Sequence, residues 1–308
     1  MNPKVSIIIP AYNTSLYIKK TVESALEQTE QNIEVIVVDD ASTDKTVEIV
    51  SEIIDKRLKI LVNESNFGPS YSRNRAIKVA KGEWIALLDS DDWYEPRRLE
   101  ILLHTADAEN ANMIADNMHL IKDGAEHPHS TYFANQGISF KNPTRIDAVN
   151  LIDLSLSITK PLVKRDFLIQ NSLEFNEALK YEEDFFLFLF CILKGAIFVV
   201  SPEPLYFYRT RTGSLMTKQQ EFYEQAYNTN RYLLEQDFTQ NNQKLLHCLS
   251  KRFSHIKQLR AYYRVKPFIK ERDFFAALIV AFKNPIFFWA LWIKLPVIFK
   301  YRLAKKTI

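Results

Sequence analysis

The sequence from Val5 to Asp40 reads VSIIIPAYNTSLYIKKTVESALEQTEQNIEVIVVDD. It opens with an apolar run rich in isoleucine, continues through residues of helical period and closes with a second apolar run. Two short apolar runs that flank an amphipathic segment are typical of the strand–helix–strand unit of a parallel sheet. This stretch therefore predicts an α/β fold.

The same alternation continues over the first 120 residues and supports that interpretation. Apolar runs predict strands over Val5–Pro10, Ile33–Val38, Leu58–Val62, Trp84–Leu88 and Met113–Ala115. Helical periodicity predicts helices over Leu16–Gln28, Thr46–Ile54, Tyr71–Ala80 and Pro96–Asn110, and later Glu183–Leu193 before a short strand near Ala196–Val200. We therefore expect an α/β sheet flanked by helices, followed by a mainly helical C-terminal extension.

Composition limits the class of protein. A chain of 308 residues that is 47% hydrophobic can bury a full core, which excludes a disordered chain. Cys191 and Cys248 lie far apart in sequence, which argues against a disulfide scaffold or a zinc cluster and for a reducing compartment. The N-terminus lacks the separate apolar region and cleavage site of a signal peptide, so we expect no secretion.

Charge is unevenly distributed along the chain. Residues 250–308 hold 14 of the 40 basic side chains and two of the 37 acidic ones, which leaves 26 basic and 35 acidic side chains for residues 1–249. A basic tail on an acidic body indicates an anionic partner for the tail. The aromatic residues of the tail favour a membrane surface over nucleic acid.

The ends of the predicted strands carry the candidate chemistry. Ligands of an open parallel sheet bind at the carboxyl ends of its strands. Here those ends are Pro10–Asn13, Asp39–Asp40 and Asp89–Asp92, so one aromatic ring and five carboxylates converge on one edge.

Such crowded carboxylates predict a cation. Two unit charges about 4 Å apart interact by about 4 kcal/mol at an effective dielectric of 20. Asp89 and Asp91 could together face Mg²⁺ or Mn²⁺, which prefer oxygen ligands. The alternative for these acids is a cap for the helix that follows, or a solvated loop. No glycine-rich phosphate loop is present, so a diphosphate would have to be met by a metal ion and basic side chains.

Five motifs in this order resemble those of the inverting family 2 glycosyltransferases: VSIIIPAYN at 5–13, VVDDASTD at 37–44, NFG at 66–68, SRN at 72–74 and LDSDD at 88–92. The likeness extends to about residue 215. It implies a GT-A fold, a nucleotide-sugar donor, and Mn²⁺ or Mg²⁺ on the donor diphosphate. It also implies a glycosyltransferase domain over residues 1–218, with a nucleotide-sugar half (1–110) and an acceptor half (111–218), before the extension at 219–308.

The resemblance assigns roles at the donor site. Pro10, Ala11 and Tyr12 would line the base and ribose pocket, and Asp39 would accept a hydrogen bond from a uracil N–H. Further donor contacts would come from Arg73, Asp89, Ser90, Arg209 and Arg211, and the metal ligands would be Asp91 and Asp89. The bland alternatives are a half-buried rim aromatic at Tyr12, a helix cap at Asp39 or Asp40, and a surface ion pair at Arg73.

The resemblance also assigns the acceptor side. Glu182–Asp184 is similar to the family's Glu-Asp motif at the start of a helix, and Asp184 would be the general base. Tyr208–Ser214 is similar to a mobile closing segment. Residues near the acceptor would be Asp116, Lys160 and Glu183, although a solvated lysine is an equal alternative at position 160 and the helix dipole explains Glu182.

The segment from Phe274 to Ile298 is apolar but interrupted by lysines and prolines, so we expect no transmembrane helix. An interfacial helix on an anionic membrane and a helix that packs on protein, including a second subunit, both remain open.

The resulting prediction is transfer of a hexose from UDP-glucose or a similar donor to a glycan or polyprenyl-linked acceptor. The likeness to bacterial exopolysaccharide glucosyltransferases suggests cell-surface polysaccharide synthesis by a cytoplasmic enzyme at the inner face of the plasma membrane. The rival functions are a nucleotidyltransferase and a catalytically idle sugar-nucleotide-binding scaffold.

Overall fold

The computed structural model describes residues 2–211 and 218–289. The chain divides into two compact units, Met1–Thr212 and Gly213–Ile308.

The first unit is built on one mixed sheet with helices around it. Its strands are β1 (Val5–Ala11), β2 (Ile33–Asp39), β3 (Leu58–Val62), β4 (Trp84–Leu87), β5 (Trp93–Tyr94), β6 (Met113–Lys122), β7 (Ser130–Thr131), β8 (Thr144–Ile146), β9 (Leu162–Lys164) and β10 (Phe198–Thr210). Its helices are α1 (Ile18–Leu26), α2 (Thr46–Ser51), α3 (Pro69–Val79), α4 (Arg98–Glu109), α5 (Tyr132–Gln136), α6 (Ala148–Asp153), α7 (Arg165–Gln170) and α8 (Glu183–Leu193), with a short 3-10 helix at Leu156–Ile158.

The strand order across the sheet is β3-β2-β1-β4-β9-β6-β10-β5, with β7 paired to β6 and β8 paired to β10. The four strands β1 to β4 are mutually parallel, as the sequence predicts, and β9 joins the sheet antiparallel to both β4 and β6. The α/β fold predicted from the sequence is confirmed.

Two strands are much longer than predicted. β6 continues past Ala115 through Asp116 and Asn117, which are buried polar residues with tertiary hydrogen-bond partners. β10 continues past Val200 through Pro202 and Pro204, where the register to β6 shifts. Neither extension can be recognised from the apolar pattern of the sequence, because buried polar groups and prolines interrupt that pattern.

The second unit is helical where it is described, with α9 (Gln219–Leu234), α10 (Asp237–Gln240), α11 (Gln243–Lys270) and α12 (Phe274–Lys283). α9 packs on α11, with the rings of Tyr223 and Tyr263 stacked at 5.1 Å. Glu224 joins the same two helices through ion pairs with Arg260 and Arg264. Within the described ranges, no helix is both long and apolar enough to cross a bilayer.

Candidate active site

The carboxyl ends of β1, β2 and β4 lie level with one another. Ala11 is the register partner of Asp39, and Ile8 is that of Leu87. The backbone continues this alignment beyond the strands, because the N–H of Asp40 donates to Ala11 O at 2.8 Å and the N–H of Leu88 donates to Ile8 O at 3.1 Å. The predicted motifs therefore meet at one edge.

Asp39 and Asp40 have different environments, although both are buried. Asp40 accepts the backbone N–H groups of Phe67 and Gly68 at 3.0 and 2.7 Å, and the side chain of Asn63 at 2.7 Å. Asp39 accepts the N–H of Ser42 through Oδ2 at 2.9 Å, while its Oδ1 atom is buried and has no hydrogen-bond partner in the part of the chain that the structure describes. The structural role that the sequence left open for either acid thus falls to Asp40.

Gly68 sets the start of α3 and thereby the position of Arg73. Its φ of +92° lies in the left-handed region that favours glycine, and its N–H is fixed by Asp40. Arg73 lies in the second turn of the helix and is buried at 4% exposure, so the surface-pair alternative is wrong. Its guanidinium contacts Asp89 at 2.9 Å, Glu183 at 3.0 Å and Asp184 at 3.4 Å.

Lys160 enters the same cluster from the start of β9. In the antiparallel register Ala86 pairs with Leu162, so two residues earlier the chain lies beside Leu88 and Asp89. The Nζ atom of Lys160 lies 2.7 Å from Asp184 Oδ2 and 3.0 Å from Asp89 Oδ2. At 5% exposure this lysine is not the solvated side chain that the sequence left as an alternative.

The cluster therefore alternates two cations with three carboxylates. Burial tends to raise the pKa of Asp89, but Lys160 and Arg73 outweigh it and lower that pKa to about 2. Burial tends to lower the pKa of Lys160, yet Asp184 and Asp89 raise it above its ordinary value. Glu183 behaves differently, because burial and the charge of Asp184 raise its pKa to about 7.

Asp184 stands in the first turn of α8 beside Glu183. The residue before this helix, Glu182, has a φ of +68°, which costs a non-glycine residue on the order of 1–3 kcal/mol. Oδ2 of Asp184 is held by Lys160, whereas Oδ1 is buried and lacks a partner of hydrogen-bond geometry among the described residues, despite its 3.4 Å approach to Arg73. One oxygen of this carboxylate is therefore fixed by Lys160, and the other makes no hydrogen bond within the described residues.

The end of β10 and the residue after it contact the acidic motif Asp89–Asp92. The N–H of Arg209 donates to Asp92 Oδ1 at 2.7 Å, and its side chain donates to Asp91 O at 2.9 Å and to Asp123 at 3.2 Å. The Nε atom of Arg211 lies 2.5 Å from Asp91 Oδ2. Arg209 is thus engaged in holding this strand end, and Arg211 is the arginine placed at the acidic motif. The predicted closing segment continues into residues 212–217, which lie outside the described residues.

Two rim residues have fewer contacts. The ring of Tyr12 follows β1 and is 46% exposed, beside the buried Ala11 and the half-buried Pro10. Ser90 is buried, and its carbonyl accepts the hydroxyl of Thr21 at 3.0 Å. Both lie at the predicted edge.

The acidic motif does not cap the following helix: the residue before α4 is Arg97, which makes no side-chain cap hydrogen bond, and the N–H of Leu99 in the first turn donates to Gln28 Oε1 at 3.0 Å. The described ranges contain no group of three or more His, Cys, Asp or Glu side chains arranged to hold a metal ion by themselves. Mg²⁺ and similar ions are often held by one or two carboxylates together with substrate phosphates. The carboxylate of Asp91, of which the Oδ2 atom contacts Arg211, fits an ion that is shared with a diphosphate.

The expectation that Asp116 faces the acceptor is wrong. Its side chain is 1% exposed and forms a buried ion pair with Arg98 of α4, with Nη2 at 2.7 Å from Oδ1. The same Nη2 atom donates to the carbonyl of Lys160 at 2.5 Å. Asp116 therefore supports the site from behind, by fixing an arginine that holds the backbone of Lys160.

Sequence reasoning missed two buried polar residues, Arg98 and Tyr206. Arg98 has the helical spacing of the buried Leu102, and this position on an apolar face could have marked it as a buried cation. Tyr206 donates to Asp92 Oδ2 at 2.8 Å and accepts the N–H of Asp89 at 3.2 Å. Burial, together with the charges of Asp91 and Asp89, raises the pKa of Asp92 well above its ordinary value. No local sequence signal links Tyr206 to the acidic motif.

The fold and the strand ends define the class of protein: a GT-A type α/β domain whose strand ends bring the buried Asp39, an acidic motif and a helix-borne carboxylate to one edge. The profile of Glycosyl transferase family 2 matches residues 6–167, which is more than half of the chain. The chain therefore belongs to glycosyl transferase family 2, and the resemblance drawn from the motifs is confirmed.

Two curated relatives illustrate the family. The chain is 34% identical over 227 residues to the succinoglycan biosynthesis protein ExoO of Rhizobium meliloti, covering 69% of this chain and 62% of that protein. It is 44% identical over 119 residues to the UDP-Glc:alpha-D-GlcNAc-diphosphoundecaprenol beta-1,3-glucosyltransferase WfaP of Escherichia coli, covering 39% of this chain and 47% of that protein. The alignments thus span less than two thirds of either relative.

Solved structures agree on the fold. Residues 1–349 of S. aureus TarS in complex with UDP-GlcNAc align with a TM-score of 0.63 at 28% identity, over 86% of this chain and 72% of that chain. The mannosyltransferase PcManGT of Pyrobaculum calidifontis, in complex with GDP-Man and Mn²⁺, aligns with a TM-score of 0.61 at 15% identity, over 96% of this chain and 87% of that one. The second likeness concerns the fold alone.

Proposed function

We propose that this chain is an inverting hexosyltransferase that uses a UDP-sugar, such as UDP-glucose, and a glycan or polyprenyl-linked acceptor in cell-surface polysaccharide synthesis. The observation that carries the proposal is the state of the Asp184 carboxylate. Lys160 holds one of its oxygens, and the other is buried without a hydrogen bond within the described ranges, in contact with the cations that also hold Asp89. A base beside the acidic motif is what single-step sugar transfer requires.

The nucleotide end of the proposal rests on Asp39. Its buried Oδ1 atom has no partner in residues 2–211 or 218–289, and leaving a buried acceptor unsatisfied costs about 1–3 kcal/mol. A uracil N–H would satisfy this oxygen, with Pro10, Ala11 and the exposed ring of Tyr12 around the base and ribose. TarS binds UDP-GlcNAc and WfaP is named for UDP-Glc, which supports a uridine nucleotide here.

In the proposed reaction the oxygen of an acceptor hydroxyl attacks the anomeric carbon of the donor sugar. The bond from that carbon to the diphosphate oxygen breaks, and UDP leaves from the opposite face, so the configuration inverts. Oδ1 of Asp184 takes the hydroxyl proton. Lys160 keeps the carboxylate oriented through Oδ2. The next two residues of α8 are Phe185, which is buried, and Phe186, which is half-buried.

The leaving diphosphate needs positive charge. Arg211 contacts Asp91 and can turn to the phosphates, where a guanidinium can bind two oxygens at once. Mn²⁺ or Mg²⁺, held by Asp91 when donor is bound, would neutralise charge on the diphosphate. Asp89 is already engaged with Arg73 and Lys160, so we assign it to the donor side of the cluster and place the ion contact chiefly on Asp91.

The acceptor side consists of Lys160 and Glu183, with Asp116 acting only as support. A lipid-linked acceptor would bring the enzyme to the inner face of the plasma membrane, which agrees with a peripheral, cytoplasmic enzyme. The diphosphoundecaprenol in the name of WfaP supports this class of acceptor.

The test compares two variants of the full chain, Asp91→Asn and Asp184→Asn. General-base catalysis typically contributes 10²- to 10⁴-fold, so Asp184→Asn should lower kcat by about that factor and leave the Kd for UDP-glucose within about threefold. Asp91→Asn should remove the Mn²⁺ dependence of donor binding. Donor binding is measured by calorimetry with and without Mn²⁺, and transfer is measured as UDP release with and without acceptor.

Equal loss of donor affinity in both variants would contradict the assigned roles. Release of pyrophosphate from UTP would identify a nucleotidyltransferase, and donor binding without UDP release for any acceptor would identify a scaffold.

A further inference from the structure

Helix α12 packs on α11 through its small residues. Ala277 and Ala281 are buried and form an apolar cluster with Ala261 and Val265 of α11 and with Phe287 beyond the end of α12. Small side chains on this face allow the two helices to approach closely. The buried residues of α12 in this contact are therefore its alanines and not its large apolar side chains.

The large apolar side chains of α12 face solvent. They are between 41% and 77% exposed and comprise Phe274, Phe275, Leu278, Ile279 and Phe282. Their spacing places them on one continuous face of the helix, distinct from the face that carries Ala277 and Ala281. Phe288 and Trp289, just beyond the helix, are also exposed, at 45% and 62%. We call the five helical residues the outward face of α12.

A contiguous apolar surface of this kind marks an interaction site in a protein that is otherwise well packed. Its surroundings are basic. No acidic residue occurs from position 274 to the end of the sequence. The chain beside this helix carries four exposed cations, Lys266, Lys270, Arg272 and Lys283, against two exposed acids, Glu271 and Asp273, which leaves a surplus of positive charge. An apolar face bordered by cations complements a bilayer that carries anionic lipid headgroups.

We propose that the outward face of α12 inserts into the interfacial region of an anionic lipid bilayer, with the neighbouring cations on the headgroups. The helix lies in the membrane plane and does not span the bilayer. A second copy of this chain is a poorer occupant, because pairing two such faces would bring two sets of cations together. The proposal concerns how the enzyme is held at its acceptor and does not depend on the sugar transfer reaction.

Vesicle binding tests the proposal on the full chain. The probes are vesicles of 30% phosphatidylglycerol in phosphatidylcholine and vesicles of phosphatidylcholine alone, with binding measured by co-sedimentation. The test variant is Phe275→Ser/Phe282→Ser. The matched control is Ile54→Ser/Ile169→Ser, which removes two apolar side chains that are 100% and 53% exposed on the other unit.

We expect the parent to bind anionic vesicles at least tenfold more tightly than neutral ones. The test variant should lose at least tenfold of that affinity, and the control should stay within twofold of the parent. Sedimentation velocity without lipid should show the same oligomeric state for parent and test variant.

Equal loss in the test and control variants, or no preference for anionic vesicles, would overturn the proposal. A dimer that the test variant converts to monomer, in a parent that ignores vesicles, would identify a second copy as the occupant. UDP release with a water-soluble acceptor is followed in the same preparations, so that failure of vesicle binding and failure of the transferase assignment are read separately.

Discussion

Arg73 balances the charges of the candidate site. One buried guanidinium contacts three carboxylates that come from two separate parts of the chain, and Lys160 bridges two of the same three. Burying a charge is tolerated only when it is paired. Because two cations face three acids, one acid is left with the weakest stabilisation of its charge, and the raised pKa of Glu183 identifies that acid.

The titration of Glu183 should be visible in stability. Burial and Asp184 raise the pKa of Glu183 from 4.5 to about 7 in the folded state. Between these two values the folded state keeps a proton that the unfolded state has lost, so this group makes stability fall as pH rises from about 4.5 to about 7. The size is on the order of 3 kcal/mol over the full window, at 1.36 kcal/mol per pKa unit.

Glu183→Gln has no carboxyl group to titrate, and its amide oxygen can still accept a hydrogen bond from Arg73. Relative to the parent, its free energy of unfolding should therefore increase by about 2–3 kcal/mol between pH 4.5 and pH 7.5. Urea unfolding at four pH values measures the difference, with Glu109→Gln, a half-buried glutamate that pairs with Arg145, as control. Parallel pH profiles for parent and Glu183→Gln would show that Glu183 titrates normally.

Elements differ in how well the sequence reveals them. Strands β1, β2, β3 and β4 follow apolar runs, and their ends could be read for Asp39, Asp89 and Asp91 because parallel strands bring their carboxyl ends to one edge. Lys160 could not be placed this way, since its position depends on the antiparallel register of β9 with β4, which no local pattern encodes. Asp116 was misjudged for the same reason: only the tertiary structure shows Arg98 opposite to it.

The Arg98–Asp116 pair ties α4 to β6 and, through the carbonyl of Lys160, to the start of β9. Asp116→Leu leaves a fully buried guanidinium without its carboxylate and should cost about 3–5 kcal/mol of stability. Arg98→Met/Asp116→Leu removes both charges and should cost less than Asp116→Leu alone. Urea unfolding of the two single variants and the double variant gives the coupling energy.

Since Asp116 does not reach the acceptor, its replacement should leave the KM for acceptor nearly unchanged in whatever fraction remains folded. Additive losses of stability in the double variant would show that Arg98 and Asp116 are not coupled. A selective rise in the acceptor KM would return Asp116 to the acceptor site.

At the scale of the whole molecule, acidic and basic side chains are unevenly distributed along the chain. Residues 1–249 contain 35 of the 37 acidic side chains, whereas residues 250–308 contain 14 of the 40 basic ones and only two acids. A net surplus of charge on one part of a protein directs that part to surfaces of opposite sign. The position of the cations, and not their number alone, should then decide membrane affinity.

This can be tested with two variants that lower the net charge by the same amount. Lys266→Gln/Lys270→Gln/Arg272→Gln neutralises three exposed cations next to α12, and Lys19→Gln/Lys56→Gln/Lys141→Gln neutralises three exposed cations on the other unit. Near an anionic surface each cation contributes about 1 kcal/mol, so the first triple should weaken binding to vesicles with 30% phosphatidylglycerol by about 100-fold. If the surroundings of α12 hold the protein to lipid, the second triple should change binding by less than about threefold, because at 0.1 M salt a charge acts on an anionic surface only within about 10 Å. Raising the salt concentration should weaken the parent far more than the first triple. Equal losses in the two triples would mean that overall charge, rather than the surroundings of α12, holds the protein to anionic lipid.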